Sequence, residues 1–310
     1  MRRSVPAALL LASLVGVAGY PPAVSSRLLP TLNWSGAVYN EPGAANWGVV
    51  AGMMTAPTVR PNPAGPPQPH TDQGGGADAW WVGLGGADGD STDHLCQAGI
   101  VAVEQPDGRI AEHLVAEDYP HPPVQGAAVH PGDAILALAG ILGPVPYAAA
   151  LDATTGQTVA TACTLPPRGG WDSVEAIEEA PAWSVTIDGR PAIKLEPVLD
   201  ATNGTAQTVT MGWAVGLSHP HGWPKGLAAQ APSLWISALQ PPQTLNMVWP
   251  APADGSWNGT IVSATTAQDG DKIVWTWHAT PYSAPPALTT PPPGLVLPPP
   301  GPIGRASGGR

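Results

Sequence analysis

The stretch TVTMGWAV, residues 208–215, puts Val209, Met211, Trp213 and Val215 on one side of an extended chain and Thr208, Thr210, Gly212 and Ala214 on the other. Side chains alternate faces along a strand, so a repeat of two reads as a half-buried β-strand. DKIVWTWHA, residues 271–279, repeats the pattern, with Ile273, Trp275 and Trp277 set against Lys272, Val274 and Thr276. Short runs of the same kind surround Ala37, Val50, Trp81, Ile100, Leu114, Ile135, Val159, Val185, Ile236 and Ile261. Turn chemistry separates them: PDG at 106–108, HPGD at 130–133, TTG at 154–156, IDG at 187–189 and DGD at 269–271. Glycine supplies the positive φ that such turns need, and aspartate bonds nearby backbone N–H groups. No long helical period and no internal repeat break the series. Many short strands joined by turns predict an all-β protein, an antiparallel sandwich or barrel.

Composition leans the same way. The chain has 310 residues, with 40 prolines and 37 glycines, enough for one large β domain with a real core. Charged residues make up 11% and the formal charge is −11. Nucleic-acid binding needs clustered Lys and Arg, and the only lysines are Lys194, Lys225 and Lys272. An acidic chain poor in lysine suits acidic surroundings, because its carboxylates neutralise as pH falls and few cations remain to repel one another.

Residues 1–25 read as a signal peptide and short lead. Arg2 and Arg3 precede an apolar run from Ala7 to Ala18, with small residues and Pro21 and Pro22 after it. A membrane-spanning helix needs roughly 20 apolar residues, so this run is too short to be one. Cleavage is expected near Gly19 or Ser25, giving a secreted protein with no membrane segment. The folded body is expected over 31–282, after an extended lead at 20–30, and 283–310 is a proline-rich tail that cannot bury a core. PNPAGPPQPHTDQGGGADA, residues 61–79, reads as a long surface loop. Cys96 and Cys163 read as one disulfide in an exported protein, worth roughly 3–4 kcal/mol, or else as two buried thiols.

Several strings fall in a telling order: NWSGAV at 33–38, VVAGMMTAPTV at 49–59, WWVGLGG at 80–86, LCQAGI at 95–100, EDYP at 117–120, VHPGDAI at 129–135, TTGQ at 154–157 and VEAIEEAP at 174–181. Together they resemble the glutamic peptidases, the eqolisin family. The resemblance implies a concanavalin A-like antiparallel sandwich of two large sheets, no metal or cofactor, polypeptide substrates and a monomer. It implies an acid endopeptidase insensitive to pepstatin, with Gln97 and Glu179 as catalytic residues. It also implies substrate contacts for Trp34, Trp81 and Glu117. Core packing is the alternative for the tryptophans, and a solvated strand position for Glu117. Three positions depart from the family strings: Gly85 stands where an Asp is usual, Ala176 where a Trp is usual, and Glu178 where an apolar residue is usual.

The chemistry stands beside the resemblance. Hydrolysis in acid needs a base that keeps its charge there, and an ordinary glutamate, with a pKa of about 4.3, does so where histidine would not. A neutral carboxamide then offers N–H to the developing oxyanion without repelling that base. On a strand Glu178 and Glu179 face opposite ways, so only one enters a cleft, and Glu175 shares the face of Glu179. By local propensity DSVEAIEEAP, residues 172–181, is a helix with Asp172 as cap, Glu175 in a capping box and Pro181 as stop. The family resemblance makes it a strand.

Other groups read blandly. His219 and His221 lack a third ligand at metal spacing, and Asp88, Asp90 and Asp93 lack the full calcium-loop pattern. Asn203 and Asn258 stand in N-G-T sequons. Two other functions remain open: a glycoside hydrolase using Glu117 and Glu179 across a groove, and a non-catalytic carbohydrate- or peptide-binding module, suggested by 13 tryptophans.

Overall fold

Alternation in the sequence becomes alternation in burial. Val209, Met211, Trp213 and Val215 are buried while Thr208, Thr210, Gly212 and Ala214 are half-buried, and Ile273, Trp275 and Trp277 are buried beside exposed Lys272. The computed structural model describes residues 28–31, 34–40, 47–61, 76–86, 94–105, 107–141, 145–166, 171–180, 182–187, 190–195, 199–203, 208–217, 243–250, 257–266 and 272–278. These hold the strands β1 (Leu28–Thr31), β2 (Trp34–Asn40), β3 (Trp47–Thr55), β4 (Thr58–Arg60), β5 (Ala77–Leu84), β6 (Leu95–Glu104), β7 (Ile110–Tyr119), β8 (Val124–Val129), β9 (Ala134–Gly140) and β10 (Tyr147–Asp152). They continue with β11 (Gln157–Ala162), β12 (Ser173–Glu179), β13 (Ala182–Ile187), β14 (Arg190–Leu195), β15 (Asp200–Thr202), β16 (Thr208–Leu217), β17 (Gln243–Pro250), β18 (Trp257–Thr266) and β19 (Lys272–Trp277). No helix occurs among the described residues.

The protein is an all-β antiparallel sandwich. One layer runs β17-β2-β12-β5-β6-β7-β8 and the other β18-β19-β16-β3-β9-β10-β11. They face each other: β3 and β9 pack on β5, and β9 and β10 on β6. The two layers are hydrogen-bonded into one ladder through β17 and β18. Two register shifts interrupt that pair, at Met247/Val248 and Trp249/Pro250. Bulges bend a strand and increase its twist, which suits the corner where the sheet turns back on itself. β1 adds parallel to β17, so Leu28–Thr31 belongs to the regular structure of the described residues. β13–β14 and β4–β15 form separate ribbons.

Between the layers lie Trp47, Trp80, Trp171 and Trp275, all fully buried, with small partners such as Ala98, Ala137, Ala139 and Ala148. Tyr39 stacks on Trp47 and Trp213 at 5.4 and 5.6 Å. The turn glycines Gly108, Gly132 and Gly156 have φ of 79°, 96° and 78°, the left-handed values their turns require.

One boundary differs from the sequence reading, and the strand that the family resemblance implies over the capping-box segment is present. The Pro/Gly-rich loop gives way to β5 at Ala77, a strand buried along its whole length. Ser173–Glu179 is a strand buried along its whole length between β2 and β5. There the ladder satisfies the backbone on both sides, and this outweighs a local capping box. The leader, the tail, Ile236, His219, His221, Asp88, Asp90 and Asp93 lie outside the described residues.

Candidate active site

Register brings the distant strings together. On β12, Glu179 pairs with Trp34 of β2 and Ala79 of β5, and Ile177 pairs with Trp81. On β6, Gln97 pairs with Gly83 of β5 and with Glu117 of β7. Paired residues share a face, and so do residues two apart on a strand. Trp34, Trp81, Gln97, Glu117, Glu175 and Glu179 therefore all lie on the outer face of one layer. Glu178, Trp80, Val82, Cys96 and Ala98 point the other way, into the interlayer core. A second apolar cluster of Trp34, Val38, Ala79, Trp81, Leu95, Val101 and Ile177 floors the site.

Each candidate catalytic group is held by a neighbour. Trp81 Nε1 donates to Glu179 Oε2 at 2.8 Å. Gln97 Nε2 donates to Glu117 Oε2 at 2.6 Å. Trp34 and Trp81 meet edge to face, 5.0 Å between centroids and 76° between planes. Both are buried, at 2% and 1% exposure, so they form the floor of the site and not an open wall. The far edge of the Trp81 ring lies over Gly83: a Cβ there would sit 2.8 Å from Trp81 Cζ3 and 3.2 Å from Gln97 Cβ. One indole thus reaches from Glu179, through its N–H, to the flank of Gln97.

Electrostatics follow from burial. Desolvation raises Glu179 to about 7, against the lowering effect of the indole N–H groups of Trp81 and Trp34. Desolvation also raises Glu117 to about 8. The bond from Gln97 lowers it, and the charges of Glu179 and Asp118 raise it again. Glu117 is thereby linked to both candidates, to one by a hydrogen bond and to the other by charge. Glu175, which shares the face of Glu179, is fully buried as well.

The support behind β6 and β7 is covalent. Cys96, next to Gln97, forms a disulfide with Cys163, with Cα atoms 5.7 Å apart. One row along, Asp118 accepts from Thr164 N at 2.9 Å and from Thr164 Oγ1 at 2.8 Å. Gly85 explains its own departure from the family string. Its φ is +89°, and a Cβ would lie 2.3 Å from the His94 carbonyl oxygen and 2.7 Å from Trp171 Cδ1, so an aspartate does not fit this turn. Ala176 is fully buried in the interlayer core. Among the described residues no group of three or more His, Cys, Asp or Glu is placed to hold a metal ion. The sequence reading missed the position of Asp78, buried behind the site. Its only signal was its place two residues before Trp80, on the same face of a strand.

The described residues form an antiparallel sandwich with Glu179 and Gln97 on the outer face of one layer. Residues 32–191 match the Peptidase A4 family, and the chain belongs to that family, the glutamic peptidases. The structure of SCP-B, a member of the eqolisin family of peptidases in complex with the tripeptide Ala-Ile-His, aligns with a TM-score of 0.52 at 15% identity, over 80% of this chain and 98% of that one. Scytalido-glutamic peptidase with a peptide-based transition-state analogue aligns with a TM-score of 0.50 at 15% identity and the same coverage. At that identity the likeness carries the fold. No curated protein sequence matches the chain.

Proposed function

We propose that the chain is a secreted endopeptidase in which Glu179 moves the protons and Gln97 holds the oxyanion. The observation that carries this is the placement of both side chains on one face, flanking a single indole and each pinned by its own hydrogen-bond partner. Glu179 as carboxylate takes a proton from water while the hydroxide adds to the peptide carbonyl carbon. The amide of Gln97 has two N–H groups; one engages Glu117 and the other is free to donate to the oxyanion. Glu179 then gives its proton to the leaving nitrogen as the C–N bond breaks, yielding a carboxylic acid and an amine. Trp34, Trp81 and Glu117 contact substrate from the floor and rim of the same face.

Burial sets the working pH. With Glu179 near 7, only about one molecule in a thousand carries the carboxylate at pH 4, since each pH unit is a factor of ten. As a base, Glu179 therefore drives a kcat/KM that climbs from acid toward pH 7. An optimum deep in acid reverses its first step, so that a protonated Glu179 hands its proton to the carbonyl oxygen before water attacks. The family assignment favours this peptidase reading over the glycoside hydrolase and the binding module. Export is supported by the Arg2–Ala18 segment and by a disulfide, which persists in oxidising compartments.

The test is digestion of an unfolded protein across pH 3–8, with and without pepstatin, by the wild type and by Glu179→Gln. Pepstatin-insensitive cleavage lost in the variant supports the assignment. Undiminished cleavage by Glu179→Gln refutes it.

A further inference from the structure

Directly behind the site, the inner face of the same layer buries two more carboxyl groups. Glu178 of β12 pairs in register with Trp80 and Ser35, and Asp78 of β5 pairs with Ala102. Asp78 precedes Trp80 by two residues, so Asp78 and Glu178 are diagonal neighbours on one face of adjacent strands. Both are fully buried. Leu199 N donates to Asp78 Oδ2 at 3.1 Å. Asp78 Oδ1 and both oxygens of Glu178 have no hydrogen-bond partner among the described residues. The sequence marks the same spot, since Glu178 stands where the family strings carry an apolar residue.

We propose that Asp78 and Glu178 form an acid lock, a buried pair that lets the two layers stay closed while both carboxyls hold their protons and loosens the core once they lose them. A neutral carboxyl costs far less to bury than a charged one, and two carboxylates on one face repel. The groups facing the pair strengthen this. Burial raises Asp78 well above its ordinary value, Glu178 adds to that, the Leu199 N–H opposes it and Asp200 adds again. Glu178 is raised by burial and then by the charge of Glu179, its neighbour through the strand. The elements packed behind, β3 and β9, carry no titratable side chain between Trp47 and Thr55 or between Ala134 and Gly140. Lys272, on β19, is exposed.

The direction with pH is fixed by which state holds more protons. Between the ordinary carboxylate pKa of about 4 and the raised native value, the folded chain binds more protons than the unfolded one. Stability contributed by the neutral pair is therefore full in acid and is lost as pH rises through that window. Glu112, which burial and Asp133 raise to about 7, and the site carboxyls Glu117 and Glu179 add to the same trend. A difference measurement isolates the pair.

The experiment compares the full chain with the double variant Asp78→Asn/Glu178→Gln by urea unfolding at steps from pH 4 to pH 7. The lock predicts that the folding constant of the double variant gains on the wild type as pH rises, by up to about tenfold per pH unit for each carboxyl. A ratio that stays constant with pH, as when a cation of the chain neutralises the pair, overturns the proposal. Should the double variant fail to fold, Glu178→Val restores an apolar side chain at that position. Its ratio to the wild type must rise with pH in the same sense, and a flat ratio overturns the proposal equally. Glu179→Gln run in parallel keeps the pair intact. Loss of turnover there while the lock difference persists separates the fate of the catalytic assignment from the fate of the lock.

Discussion

The layer β2-β12-β5-β6-β7 buries carboxyl groups on both of its faces and treats them in opposite ways. On the outer face Glu179 accepts an indole N–H and Glu117 accepts a carboxamide N–H. On the inner face Asp78 has one backbone donor and the oxygens of Glu178 have none among the described residues. Burial raises all four groups. Only the outer pair carries side-chain donors that favour the charged form. Donors aimed at a carboxylate make a working acid–base group, and their absence makes one whose ionisation opposes folding. Successive residues of one strand, Glu178 and Glu179, stand on the two sides of that divide.

The sharpest break in the comparison comes from exchanging the roles by mutation. Glu179→Gln should lower kcat about 10²–10⁴-fold, the usual worth of a positioned acid–base group, with an unchanged far-UV spectrum. Glu178→Gln should leave turnover of the folded enzyme within a few-fold of wild type while changing the pH dependence of stability. Equal losses in the two variants would erase the functional distinction between the faces. Gln97→Ala comes next, with about 10²–10³ in kcat for a lost oxyanion donor. It also removes the bond that lowers Glu117, so Glu117 should titrate higher still in a carboxyl-resolved NMR titration.

Much of this arrangement was legible in the chain itself. Period-two runs marked β16 and β19 because one side of each faces the core, and turn glycines marked the places where the backbone must enter positive φ. Alternation alone sent Glu178 and Glu179 to opposite faces, and the ordered strings singled out Gln97 and Glu179. What stayed hidden depended on partners far along the chain. By local sequence the capping box at 172–181 argues for a helix; only the ordered strings made it a strand, and pairing of both its edges with β2 and β5 is the physical reason. Asp78 was lost in a Pro/Gly-rich loop because a loop boundary is written only weakly in sequence. The lie of the Trp81 ring depends on a bare position on its own strand, two residues on, and on Gln97 across the ladder.

A smaller perturbation tests the donor on Glu179. Trp81→Phe keeps most of the ring on the floor but removes the N–H at 2.8 Å. Because that bond lowers Glu179, its loss favours the protonated form. The limb of kcat/KM governed by Glu179 should move to higher pH by about one to two units, the equivalent of a hydrogen bond to a charged group. An unmoved limb would mean that Trp81 supports only packing.

The smallest change touches no polar group. Gly83 faces the site between Glu175 and Gln97 in register, and a Cβ there would meet Trp81 Cζ3 at 2.8 Å, Leu95 Cδ1 at 3.1 Å and Gln97 Cβ at 3.2 Å. All three neighbours are buried side chains with little room to retreat. Gly83→Ala should therefore destabilise the fold by about 1–3 kcal/mol through overpacking, read from the urea midpoint. Relief can come only by lifting the indole, which draws its N–H away from Glu179, or by pushing Gln97 from Glu117. Either movement reaches catalysis without altering a catalytic group, so kcat should fall while KM for a long peptide changes less. A variant that loses stability but keeps full kcat would show that the outer face tolerates a displaced floor, and that the hydrogen bonds alone hold Glu179 and Gln97 in place.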